Sequence, residues 1–198
     1  MNLNDFMKEA HENAVQHGFW DEKKPIEEIM ALIHSEWSEA LEEYRADRPM
    51  YYKVCKNCGE PCMKDGCGDY YDGKCELNEI DPKPEGIAVE LIDGVIRIMD
   101  YFGAVCKSIE ATSEEIEKLA AEVFLESGYD ALPELPVLVG MLHVSTSSSF
   151  IEDEPGDMLQ CVGSVFLYIR KQGLDPEFIL REKHEYNKTR PYKHGKIC

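Results

Sequence analysis

The segment GIAVELIDGVIRIMDYFGAVC, from Gly86 to Cys106, constrains this chain more than any other part of it. It is apolar nearly all round, and a helix with that pattern is buried on every side. The pattern predicts a helix from Glu85 to about Ser108 that runs through the centre of a bundle. Its few polar residues are then informative. Glu90, Asp93, Arg97 and Asp100 recur at i, i+3, i+7 and i+10 and form one stripe along the rod. An unpaired buried carboxylate costs several kcal/mol even after relaxation, roughly ten times the ~0.2–0.5 kcal/mol of a like-charge pair on a solvated helix. Desolvation decides the matter, so something cationic must sit against the stripe.

The rest of the chain has the same helical period. Ile26, Ile29, Met30, Ile33, Trp37, Ala40, Leu41 and Tyr44 follow i, i+3, i+4, i+7 spacing and predict one amphipathic helix over 25–46, with Pro25 at its start. Further helices are expected at 4–17, 113–127 with Ser113 as N-cap, 134–150, 156–173 and 176–188, the last opened by Asp175-Pro176. The serine run at Ser145, Ser147, Ser148 and Ser149 sits awkwardly in the fifth of the seven. The fold class this implies is an all-α helical bundle, with residues 1–198 as one domain.

Charge limits the partners. The net charge is −18, which repels nucleic-acid backbones and anionic membranes, so neither is expected as a partner. A nucleotide is still compatible, provided divalent cations lie between carboxylates and phosphates. The opening MNLNDFMKEAHENAVQHG lacks a basic stretch followed by an apolar run, and no segment of ~18 uncharged apolar residues occurs, so the expected location is cytoplasmic.

Glu36-x-x-Glu39 and Glu90-x-x-Asp93 each put two carboxylates on one helix face, about 5–6 Å apart at Cβ. Such pairs are common in an acidic chain and usually lie on a solvated face. These two differ in context, because Glu36 flanks an apolar stripe and Glu90 and Asp93 belong to the central rod. Facing helices would gather four carboxylates, an all-oxygen set that suits Mg²⁺ or Mn²⁺ over zinc or copper. The competing account is a salt-bridge network in which Arg97 neutralises Asp93 or Asp100. The two differ on Asp93→Asn, which leaves metal-free stability unchanged or raised if the carboxylates only repel, and lowers it if Arg97 is stranded. A di-iron bundle is disfavoured, because it uses Glu-x-x-His pairs and this sequence has none. His34 lies away from Glu36 on its helix and reads as packed or solvated. Trp20, Trp37 and Tyr101 could stack on a base, although aromatics at helical spacing more often fill a core.

HSEWSEALEEYR at 34–45 and VELIDGVIRIMDYFG at 89–103 resemble the paired ExxE and ExxD helices of the MazG-like, all-alpha nucleoside triphosphate pyrophosphatases. KHEYNKTRPYKHGK at 183–196 is similar to the tail of several members, and the three stretches make up about a fifth of the chain. The resemblance implies hydrolysis of a nucleoside triphosphate to monophosphate and pyrophosphate, by a homodimer or higher homo-oligomer. It implies Glu36, Glu39, Glu90 and Asp93 as Mg²⁺ (or Mn²⁺) ligands, and Lys183, Asn187 and Arg190 as contacts to substrate. Glu39 is the choice for general base.

The gap between Glu39 and Glu90 is longer than that pattern, and VCKNCGEPCMKDGCGDYYDGKC lies inside it. Residues 50–84 therefore read as a Cys-rich insertion. Cys55, Cys58, Cys62, Cys67 and Cys75 offer one more thiol than the four that tetrahedral zinc needs, with Cys55-x-x-Cys58 as the firmest pair. The alternative is a metal-free loop. Gly68 to Lys74 imitates a phosphate-binding loop, but it ends in Cys75 and follows no apolar strand, so it is set aside. Two further functional readings stay open at this level: a zinc-containing helical adaptor without catalysis, and a related phosphoribosyl-ATP or nucleotide-derivative pyrophosphatase.

Overall fold

The structure is a computed structural model that describes residues 1–55, 61–63, 66–67, 82–105, 108–128, 132–152 and 155–195. Its described residues form seven α-helices and four short strands. The helices are α1 (Leu3–Gln16), α2 (Ile26–Arg45), α3 (Ile87–Val105), α4 (Ser113–Glu126), α5 (Leu135–Glu152), α6 (Pro155–Lys171) and α7 (Pro176–Lys188). The fold is all-α, and each helix lies within a few residues of its expected place. None of these helices is long and apolar enough to cross a membrane.

Local chemistry explains most helix ends. The Asn2 side chain accepts from the backbone of Asn4 and Asp5 to open α1, and Asp175 caps α7 with Pro176 behind it. Ser113 is not the cap of α4. Thr112 is, because only Thr112 has a glutamate three residues on, and Thr112 and Glu115 form a reciprocal capping box. Ser113 is buried in the first turn instead, where its hydroxyl donates to Glu177. The serine run does not end α5, since the Ser147 hydroxyl turns back to the carbonyl of His143 one turn earlier.

Helix α3 runs through the centre, against α1, α2, α6 and α7, while α5 closes on α2 and α6 and α4 packs on α6. Ala88, Val89, Leu91, Ile92, Val95, Ile98 and Met99 are fully buried, which is the all-round burial its sequence requires. Two glycines set its position. Gly86, at φ +112°, makes the turn into α3, and a Cβ there would lie 2.7 Å from the carbonyl oxygen of Pro49. Gly94 lets α2 come close, because a Cβ there would lie 2.2 Å from the Trp37 ring. Gly94→Ala is therefore expected to destabilise the fold by ~1–2 kcal/mol, overpacking at the buried ring outweighing the gain of about 1 kcal/mol in helix propensity. Thermal denaturation should show a fall of a few degrees; an unchanged or raised midpoint would mean that the two helices can part without cost.

The strands were not legible in the sequence. β1 (Tyr52–Val54), β2 (Pro61–Met63), β3 (Gly66–Cys67) and β4 (Lys83–Glu85) form an antiparallel sheet in the order β3-β2-β1-β4. Runs of two or three residues carry no usable alternation. Pairing of Tyr52 with Glu85 and Val54 with Lys83 brings together the two ends of the Cys-rich stretch. The Tyr51 hydroxyl and Lys53 Nζ both reach Glu182 on α7, which ties β1 to the bundle. Of the five cysteines considered for zinc, Cys55 is buried, Cys62 and Cys67 are paired in register across β2 and β3, and Cys58 and Cys75 lie outside the described residues. The Gly68 to Lys74 stretch also lies outside them. Cys161, expected as a core thiol, is buried between α5 and α6.

Candidate functional site

The stripe on α3 faces a cleft of about 250 Å³ walled by α1, α2, α3 and α7. Glu36, Glu39, Glu90, Asp93, Lys183, Asn187 and Arg190, the seven positions singled out in the sequence, all line it. Glu36 and Glu90 are 5% and 8% exposed, whereas Glu39 stands at the open side. One carboxylate oxygen from each of Glu36, Glu39 and Glu90 lies within 4.8 Å of the others, so these three could hold a metal ion. Asp93 lines the same cleft but is not one of these three. Its Oδ2 lies 2.8 Å from Nζ of Lys183, a residue only 2% exposed.

The salt-bridge network differs from the one the sequence suggested. Among the described residues Arg97 makes no direct ion pair with Asp93 or Asp100, although its charge acts on both; its Nε donates across the helix interface to Glu36. Asp100 accepts from His11 Nδ1 and Trp20 Nε1, each at 2.8 Å. Intrahelical spacing made Arg97 available to both aspartates, but α1, α2 and α7 each bring a nearer partner.

Electrostatics single out Glu90. Burial, reinforced by the charge of Asp93, raises its pKa to about 8 despite the opposing pull of Lys183. Burial also raises Glu36, against the Arg97 charge, and raises Asp100, against the hydrogen bonds from His11 and Trp20. Burial pulls the Lys183 ammonium down, but the charges of Asp93 and Glu90 outweigh it and its pKa is raised. Two of the four clustered carboxylates are thus paired with side-chain cations, and the most strongly perturbed of them is not.

Apart from Trp20, which the sequence offers as a stacking residue, several lining residues escaped the sequence reading. Lys24 and Lys83 reach the cleft while paired with Glu28 and Glu85. Phe19 and Trp20 line its other side, from the turn between α1 and α2. Of the three aromatics considered for stacking, Trp37 is core, Tyr101 packs on Phe102, and Trp20 alone lines the cleft. The signal available for Trp20 was its position in GFWDEKKP, outside any helical period and just ahead of the carboxylate helix. The terminal segment docks onto this same turn: His17 Nε2 bonds the carbonyl of Arg190, and Lys193 N bonds the carbonyl of His17. His34 is packed away from the cleft, stacked on His143 with Nδ1 atoms 2.7 Å apart.

Among the described residues, one cleft-lining side chain has a buried polar atom without a partner. Asn187 is 6% exposed, and no described residue donates a hydrogen bond to its Oδ1. Buried amide oxygens are nearly always satisfied, so this one is suited to a ligand. Comparison of the chain with protein-family models, with characterised proteins and with solved structures finds no match.

Proposed function

We propose that this protein is a Mg²⁺-dependent nucleotide pyrophosphohydrolase, cleaving a nucleoside triphosphate to the monophosphate and pyrophosphate. The observation that carries the reading is the meeting of three carboxylates, Glu36, Glu39 and Glu90, in a cleft that also presents Lys183, Asn187 and Arg190 on one wall and Trp20 on another. An all-oxygen donor set fits Mg²⁺ or Mn²⁺, and Glu90, whose pKa is raised first by burial and then by the charge of Asp93, is a carboxylate that a cation would help to ionise. Zinc or copper would call for nitrogen or sulfur donors, which this cluster lacks.

Bound there, the metal would supply charge neutralisation on the phosphates and polarise the phosphorus toward attack. Glu39, exposed at the open side, would take a proton from the attacking water. Lys183 and Arg190 would hold the phosphates, Asn187 would accept from the nucleotide or coordinate through its free oxygen, and Trp20 would stack on the base with its edge fixed by Asp100. We further propose a cytoplasmic homodimer or higher homo-oligomer, and structural zinc on four of the five insertion cysteines.

A panel of ribo- and deoxynucleoside triphosphates with Mg²⁺ or Mn²⁺, scored for pyrophosphate, tests the reading. Pyrophosphate and monophosphate in equal amounts from at least one member are expected. Stepwise release of orthophosphate would contradict it. Turnover confined to phosphoribosyl-ATP or a diphosphate-linked nucleotide would move the protein to that related class, and tight zinc with no Mg²⁺ binding would favour an adaptor.

The docked tail gives a second expectation. Removing residues after Asn187 deletes Arg190 and frees the turn that carries Trp20, so KM for triphosphate should rise about tenfold or more, as loss of one charge-assisted contact implies. An unchanged KM would show that neither the tail nor its docking matters to substrate.

A further inference from the structure

We propose that Asp100 selects nucleotides whose base carries an exocyclic amine where cytosine and adenine do, against the oxo bases uracil and hypoxanthine. The inference rests on the nucleotide-binding reading above and adds the class of base. Asp100 lies on α3 seven residues beyond Asp93 in the same stripe, which places it about 10 Å farther along the helix axis. A nucleoside whose α-phosphate sits beside Lys183, the partner of Asp93, reaches that far with its base. Trp20 is held at the same corner, because its Nε1 donates to Asp100 Oδ1 at 2.8 Å. The stacking ring and the carboxylate therefore meet the same part of a ligand.

The two oxygens of Asp100 are used differently. Oδ1 accepts from Trp20 Nε1 and from His11 Nδ1, each at 2.8 Å, and among the described residues nothing donates to Oδ2. The side chain is 21% exposed and lines the cleft, so the unused oxygen is within reach of a ligand. Burial raises the pKa of Asp100, but the bonds from His11 and Trp20 and the charge of Arg97 oppose this and favour the ionised form. An ionised carboxylate only accepts. The amine of cytosine or adenine offers it an N–H. Uracil and hypoxanthine turn a carbonyl oxygen to it at the same position, and their ring N–H lies beside that repelled carbonyl. Ala10 and Ala14, on the helix that carries His11, and Ile96, one turn before Asp100, make the wall there apolar. Where little water can replace a missing bond, a mismatched edge is strongly disfavoured.

Size-matched pairs test this: cytidine against uridine triphosphate and adenosine against inosine triphosphate, with Mg²⁺ and the full chain, compared by kcat/KM for pyrophosphate release. The amino member should be favoured about tenfold or more in each pair that is turned over, the discrimination expected of one good base contact. D100N, whose amide donates as well as accepts, should bring the ratio close to unity. Calorimetric binding of the corresponding monophosphates with Mg²⁺ does not depend on hydrolysis and should show the same order. The wild-type order decides the matter even if D100N fails to fold. An oxo member equal to or better than its amino partner, or a ratio that D100N leaves unchanged, would overturn the inference and leave the hydrolysis reading standing. Binding in the expected order without turnover would uphold the selectivity and overturn hydrolysis, and neither binding nor turnover of any member would overturn both.

Discussion

Glu90→Gln is expected to abolish Mg²⁺-dependent pyrophosphate release while making the metal-free protein more stable at neutral pH. The carboxyl of Glu90 has a pKa of about 8 in the folded state against an ordinary 4.5, raised first by burial and then by Asp93. Below pH 4.5 it is protonated in both states and contributes no penalty. From pH 4.5 to 8 the unfolded chain releases this proton and the folded chain retains it, so folding stability falls as pH rises through that window, and above 8 the full penalty is present. The shift corresponds to roughly 3–5 kcal/mol at about 1.36 kcal/mol per unit. Glutamine removes this penalty but buries an amide, at a cost of about 1–3 kcal/mol if unbonded, so a net gain of ~2 kcal/mol near pH 7.5 is reasonable. That amounts to roughly 4–8 °C in melting temperature for a chain of this size. Activity should fall about 10³-fold or more, a loss of ~4 kcal/mol in transition-state stabilisation. Mg²⁺ should raise the melting temperature of the wild type and leave that of the variant unmoved. A variant less stable than wild type without metal at pH 7.5 would mean that Glu90 is satisfied by protein groups and has no need of a cation.

Asp93→Asn should behave in the opposite way toward stability. Here too pyrophosphate release should be lost, but the metal-free fold should drop by ~3–5 kcal/mol, because Lys183, 2% exposed, would keep its charge and lose the partner 2.8 Å away. Sequence spacing alone allowed stability to stay level or rise, with Arg97 as the only cation that could be stranded. The structure replaces Arg97 by Lys183 from α7 and thereby reverses the expected sign. Instability of Asp93→Asn consequently says nothing against a catalytic role for the cluster. The double variant Asp93→Asn/Lys183→Met separates the effects: it should recover most of the lost stability, measured by urea denaturation, and remain inactive. If the single variant is as stable as wild type, the buried ion pair contributes nothing and Lys183 has another partner.

What the sequence made legible follows from the range of the forces involved. The seven helices were readable because apolar period and caps are local, and the central rod was readable because no exposed helix tolerates so little polarity. The same rod identified Glu90 and Asp93 by desolvation. Partner choice was not readable, since the pairing of Arg97 with Glu36, of Asp93 with Lys183, and of Asp100 with His11 and Trp20 depends on side chains brought together from four helices. Trp20 stands outside any helical period, but that it lines the cleft had to be seen in the turn after α1. The cap of α4 was misplaced by one residue although Thr112-x-x-Glu115 was in plain view. Strands β1 and β4 are too short for any periodic signal, so the closing of the Cys-rich stretch at its base had to be seen.

The central claim is hydrolysis at the α-phosphorus of a nucleoside triphosphate in the carboxylate cleft, and the position of oxygen transferred from water tests it most directly. In ¹⁸O-labelled water with Mg²⁺ and a triphosphate that is turned over, mass spectrometry should find one label in the nucleoside monophosphate and none in the pyrophosphate. Label in pyrophosphate or orthophosphate, or wild-type turnover no greater than that of E90Q across the triphosphates, would contradict the account.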